Sequence, residues 1–152
     1  MSYTTAEGRE QVLGDLAVAI EQIAEALAAL GEAYELLDER AADVLEEKLF
    51  RPVQLAYGRA QRTHSEFANR TGLRTRTFEP HSPGPANQSV QSLIERAVDG
   101  VHDADQSIAE LQDSLLPIEV GDPELRAGLS SVRETLSTVS LRARDLVRTV
   151  GR

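Results

Sequence analysis

Apolar residues in the first third of this chain fall three and four positions apart without a slip, at Leu13, Leu16, Ile20, Ile23, Leu27, Leu30, Tyr34, Leu37, Ala41 and Val44. A mean step of 3.5 residues keeps one stripe on one side of an α-helix. A strand, whose side chains alternate with period two, cannot present that pattern on one face. The rhythm returns at Val90, Ile94, Ala97, Val101, Ala104, Ile108, Leu111 and Leu115. It returns again at Leu125, Leu129, Val132, Leu136, Val139, Ala143, Leu146 and Val150. The spacing predicts an all-α fold: a four-helix bundle, or a coiled-coil-like pair of helical hairpins, antiparallel and up-down.

Punctuation divides the seams. Thr4 or Thr5 suits a first N-cap, with Glu7 and Glu10 beside the positive end of the helix dipole. Gly31 interrupts helix propensity but not register. Pro52 lacks an N–H and disfavours a helical Arg51, so Arg51-Pro52 reads as a turn or sharp kink. A weaker second helix follows to about Asn69, with Val53, Ala56, Tyr57, Ala60 and Phe67 as its stripe and Thr71-Gly72 as its stop. Residues 73–87, with Pro80 and Ser82-Pro83-Gly84-Pro85, read as a Pro-rich linker. A third helix begins near Asn87 or Ser89, is weakened slightly by Gly100, and ends at Pro117. Asp122-Pro123-Glu124 then combines an N-cap, a proline in the first helical position and an acid in the first turn. The fourth helix closes among Arg142, Arg144, Arg148 and Arg152, near its negative end. The expected organisation is a single helical domain over 1–152, with an N-terminal half at 5–72 and a C-terminal hairpin at 88–152.

Charge alternates along the chain. Residues 5–50 hold 12 acidic and 3 basic side chains, 51–77 hold 1 and 6, 78–123 hold 9 and 1, and 124–152 hold 3 and 6. In an up-down bundle that order would set each helix beside neighbours of opposite sign. Length raises a second point. One helix over 5–50 would span roughly 65–70 Å, and an 18-residue second helix cannot cover its stripe. Either the first helix breaks, near Gly31 or Asp38-Glu39-Arg40, or a second chain buries the excess. A homodimer is the expectation, with Leu13, Leu16, Ile20, Ile23, Leu27, Leu30, Tyr34 and Leu37 as the interaction seam.

Composition narrows the function classes. The chain has no cysteine, so thiolate metal sites and Cys catalysis are excluded. It has no tryptophan and few other aromatics, which removes stacking platforms for single-stranded nucleic acid. A net charge of -9 opposes general binding to phosphate, so nucleic acid is an unlikely partner. Arg59, Arg62, Arg70, Arg74 and Arg76 form the one basic cluster, among acidic neighbours. No apolar run approaches the ~20 residues of a membrane span, so no membrane partner is expected. The first ten residues are polar and do not resemble a signal peptide, which makes a cytoplasmic location the expectation. No Glu-x-x-His pair exists for a di-iron site, and Asp99-x-x-His102 lies off the seam. His64 can approach the second stripe, and His81 lies in the linker. Neither a nucleophile elbow nor a glycine-rich phosphate loop is present. No catalytic, metal or cofactor residues are assigned. The expected role is a non-enzymatic protein–protein interaction or scaffold module, with a bundle binding a small apolar ligand as the alternative.

Overall fold

The computed structural model describes residues 5–85 and 87–150, and for residue 144 and residues 147–150 their backbone course only. Thr4 and Arg152, and the side chains of Arg144, Arg148 and Val150, therefore lie outside what is described. The chain is all helical among these residues: α1 Thr5–Leu36, α2 Glu39–Leu45, α3 Arg51–Thr71, α4 Val90–Asp113, α5 Leu116–Glu119 and α6 Pro123–Val150. They pack as one bundle around a continuous apolar core.

The first segment does break, at the acidic stretch after Leu37 and not at Gly31. Asp38 has extended backbone, φ −67° and ψ 165°, and its carboxylate accepts the Ala41 N–H at 2.8 Å. That cap starts α2. Pro52 behaves differently from the expectation of a turn. Phe50 and Arg51 are both right-handed helical, and the column runs unbroken from α2 into α3. A single π-turn at Glu46–Phe50 makes this possible, with the Arg51 N–H reaching back to the Glu46 carbonyl. The extra residue shifts the register just ahead of the proline, whose ring and missing N–H would otherwise break an α-helical ladder. The break and the continuation together remove the length mismatch. α1 has 32 residues, and the column facing it extends from Glu39 to Thr71.

α1 packs on α3 and α4, and α6 packs on the same two helices from the opposite corner. Each touching pair is antiparallel. Gly31 faces Phe50 across α1 and the α2–α3 column. Ser107 of α4 donates to Gln22 of α1 at 2.8 Å, while Gly100 sits against Ala26. Arg133 of α6 meets Asp105 of α4 at 2.9 Å. Arg59 of α3 reaches Thr135 of α6 at 2.9 Å, and Arg70 reaches Asp122. These pairings require α3 and α4 to run the same way, at diagonal corners. The segment between them is therefore a crossover along the bundle, not a hairpin turn. It leaves α3 at Gly72, φ 72°, with the Leu73 N–H returning to the Ala68 carbonyl at 2.8 Å. It enters α4 at Ser89, whose hydroxyl accepts from the Ser92 N–H.

The crossover changes the charge arrangement. α1 and α4, both acidic, become neighbours, and so do α3 and α6, which carry most of the arginines. The α1–α3 and α4–α6 contacts still pair unlike helices. The expected alternation around the whole bundle is thus corrected to an acidic flank and an arginine-bearing flank. The cause is the diagonal placement of α3 and α4.

Close approach of helices rests on small side chains. On α1 a second stripe repeats every seven residues, Val12, Ala19, Ala26 and Ala33, and all four are fully buried. At Ala26 it meets Gly100 of α4, and Ala97, Val101 and Ala104 of α4 lie in the same core. A Cβ on Gly100 would stand 3.1 Å from the Gln22 carbonyl oxygen and 3.2 Å from the Ala26 Cβ. Gly100 is thus a contact point and more than a weak spot in its helix. Gly128 plays the same part on α6: a Cβ there would fall 2.5 Å from Oγ1 of Thr63.

Two outcomes follow from this packing. Gly100→Ala and Gly128→Ala should each destabilise by about 1–3 kcal/mol in urea titrations, although alanine favours a helix by ~1 kcal/mol. Thr63→Ala should recover most of the Gly128→Ala loss, with a coupling of at least ~1 kcal/mol, because it removes the atoms in collision. Additive losses would contradict the contact. Separately, the like-charged α1–α4 flank should make the melting temperature rise by a few degrees from low salt to about 0.3 M NaCl. A fall would mean that the unlike pairs dominate.

Candidate functional site

The seam assigned from sequence is largely internal. Leu13, Leu16, Ile20, Ile23 and Leu30 are buried in the chain's own core, and Leu27 and Leu37 are partly buried against it. Tyr34 is 37% exposed, near the end of α1. These residues make a core stripe, and at most its last turn faces outward. The buried positions of α1 extend from Ala29 round to Ala17 and Ala24, which at 100° per residue covers roughly two thirds of the helix. α3, α4 and the crossover cover it together.

The crossover is held on α1 and α3 by specific contacts. Phe78 is buried and sets its ring edge-to-face with His64 of α3, centroids 5.3 Å apart. Arg76 stacks over the same Phe78 ring at 4.8 Å and pairs with Glu21 of α1 at 3.2 Å. His81 also contacts Glu21, and approaches Glu25 at 4.0 Å. Further on, Arg96 of α4 donates to the Pro83 carbonyl at 2.6 Å and to Gln88 Oε1 at 2.7 Å. The linker that reads from sequence as a spacer is therefore a packed strap. His64 is 3% exposed, and its Nδ1 has no hydrogen-bond partner among the described residues. Burial pushes this imidazole below its usual range, the Leu13 backbone opposes that, and Arg76 adds to it. His102, Asp99 and Asp103 face solvent.

The arginine cluster read from sequence disperses, with Arg74 exposed beyond the end of α3. Arg76 joins the strap. Arg70 forms a two-pronged pair with Asp122, both contacts 2.9 Å, and reaches Glu124 at 3.0 Å. Burial tends to raise the Asp122 carboxyl, but the hydrogen bond from Arg70 and that from the Leu125 N–H hold it below its ordinary range. Arg59 lines the opening between α3 and α6, and Arg62 lines a smaller hollow beside it.

That opening lies on the arginine-bearing flank. It is a surface groove of about 550 Å³. Arg51, Pro52, Leu55 and Arg59 form one wall, and Ser131, Glu134, Thr135, Thr138 and Arg142 form the other, with Glu47 at one end. A smaller hollow of about 170 Å³ continues it past Arg62 and Glu66 to Gly128. The geometry follows from two local features. Gly128 against Thr63 pinches α3 and α6 together at one end. The π-turn and Pro52 lie at the other end, where Glu47, Arg51 and Pro52 line the groove. Leu55 is 50% exposed on α3 between Arg51 and Arg59, and Leu141 is 74% exposed on α6. The groove is open, mixed in charge and rich in hydroxyls, which suits a protein surface better than an enclosed apolar ligand. Sequence reasoning missed it because groove positions on α3 and α6 read as ordinary solvated faces.

Two class-level facts stand beside this geometry. Among the described residues, no group of three or more His, Cys, Asp or Glu side chains is placed to hold a metal ion. Nor is any described helix long and apolar enough to cross a membrane.

The lowered His64 pKa has a defined sign. The unfolded chain takes up a proton near pH 6.5, and the folded chain resists until lower pH, so stability falls as pH drops through and below that value. His64→Leu should reduce this loss. The wild-type unfolding midpoint should fall relative to the variant's on going from pH 7.5 to 5, and an unchanged difference would exclude His64 as the titrating group. No family model matches this chain, and no curated protein or solved structure is significantly similar to it.

Proposed function

We propose that this protein is a non-enzymatic helical interaction module, and that the α3–α6 groove is its binding face. The observation that carries this reading is the gathering of exposed arginines and leucines on one flank of a chain whose net charge is -9. Arg51, Arg59 and Arg142 surround Leu55 and Pro52 in the groove, while the opposite flank is dominated by carboxylates. Apolar anchors ringed by guanidinium groups are the usual makeup of a protein contact surface. The acidic flank keeps the module soluble and repels unsuitable partners, since unlike charge must be brought to one side only.

Crosslinking of the tagged protein in cells, followed by mass spectrometry, tests the binding face. Arg51→Glu with Leu55→Asp should abolish the specific crosslinks, to other proteins or to itself. Asp99→Lys with Asp103→Lys, on the acidic flank, should leave them in place. Loss in both variants alike, or in neither, would place the binding face elsewhere.

A further inference from the structure

We propose that the crossover is an acid-released latch: when His64 takes up a proton, the arm between Gly72 and His81 comes off α1 and α3 while the bundle stays folded. The arm hangs on one anchor. Among the described residues from Arg74 to Ser89, Phe78 is the buried one. From Arg74 to Gln88, no backbone–backbone hydrogen bond is made among the described residues. A segment attached in this way opens locally, at far lower cost than unfolding the helices beneath it. The anchor also closes over a titratable group. Phe78 packs edge-to-face on His64, which is itself 3% exposed.

The closed arm has no place for that proton. Nδ1 of His64 has no hydrogen-bond partner among the described residues, so a proton there is a buried donor without an acceptor. Burial opposes the charge most, and Arg76, stacked on the same Phe78 ring, opposes it further. The Leu13 backbone favours the proton by less than burial opposes it. The other ionisable groups around the arm are Glu79 on it, Glu21 and Glu25 on α1, and Tyr57 on α3, which burial, Glu21 and Glu79 keep neutral. A protonated His81 holds Glu21 and Glu25 more firmly, and Arg96 holds the Pro83 carbonyl, so the far end of the crossover stays in place. Release breaks the Arg76–Glu21 pair, but its members are 55% and 35% exposed and it contributes little. Opening gives His64 to water, where a histidine titrates near pH 6.5. The ratio of open to closed arm therefore rises by up to about tenfold for each pH unit below that value, until the closed imidazole is itself protonated.

Fluorine NMR of the chain labelled with para-fluorophenylalanine tests the latch. The sequence has three phenylalanines, Phe50, Phe67 and Phe78, and Phe78→Leu identifies the Phe78 signal. At pH 7.5 that signal should barely respond when light water is replaced by heavy water. By pH 5 it should acquire the solvent isotope shift of an exposed ring. Phe67, fully buried on α3, and Phe50 should keep the solvent responses they have at pH 7.5. His64→Leu and His64→Gln, neither of which can take a charge, should each hold the Phe78 signal in its pH 7.5 state at pH 5. Circular dichroism melts confirm the fold of each variant, and in the wild-type chain Phe50 and Phe67 serve as internal references whatever the variants do. Three signals moving together would be ordinary acid unfolding and would overturn the inference. So would a Phe78 signal indifferent to pH, or one that moves equally in folded His64 variants.

Discussion

The close contact between α1 and α4 is the constraint on which the rest of the bundle depends. Val12, Ala19, Ala26 and Ala33 give α1 a second buried stripe beside its leucine stripe. Gly100 lets the α4 backbone come within contact of the Gln22 carbonyl. Small side chains remove little apolar area from water individually, but they bring long helices close along much of their length. With one face against α4 and another against α3, α1 has few directions left for solvent. Its carboxylates project through the remaining arc, and two of them, Glu21 and Glu25, anchor the crossover there.

The crossover decides which surfaces exist. If α4 began beside the end of α3 after a short turn, the acidic and basic helices would alternate round the bundle. Because the chain instead travels back along α1 and α3, helices of like charge become neighbours and the two flanks differ in sign. Phe78, stacked between His64 and Arg76, fixes that path. A buried histidine whose Nδ1 has no partner among the described residues is a costly element in a core. It links the folded path of the crossover to proton concentration.

The groove is the third consequence. α3 and α6 are pinned at Gly128 and Thr63, and bonded again at Arg59 and Thr135. Beyond that, the π-turn gives the column before Pro52 an extra residue, and the groove lies alongside it. π-turns recur at functional positions because they turn side chains out of the regular helical register. Here the register shift keeps Pro52 inside a continuous helix, in the lining of the groove, next to exposed apolar and guanidinium groups.

Much of this could be read from residues alone. The 3–4 rhythm determined the all-α class, because only a helix holds such a stripe on one face. Asp122-Pro123-Glu124 and Thr71-Gly72 marked helix ends by local chemistry, Asn87 or Ser89 marked another, and the structure places ends at Asp122, Gly72 and Ser89. Three things were not legible. The Ala26–Gly100 contact was hidden because small residues carry a weak hydrophobic signal and gain meaning only from what faces them. Continuity through Pro52 depended on a π-turn that tertiary packing supports and local propensity opposes. The direction of α4, and with it the charged flanks and the groove, depended on Phe78, Arg76 and His81 finding partners on α1 and α3, as many as 60 residues away in sequence. Periodicity is local and fixes what each segment is; the order of segments around a core is set by long-range contacts that no local pattern encodes.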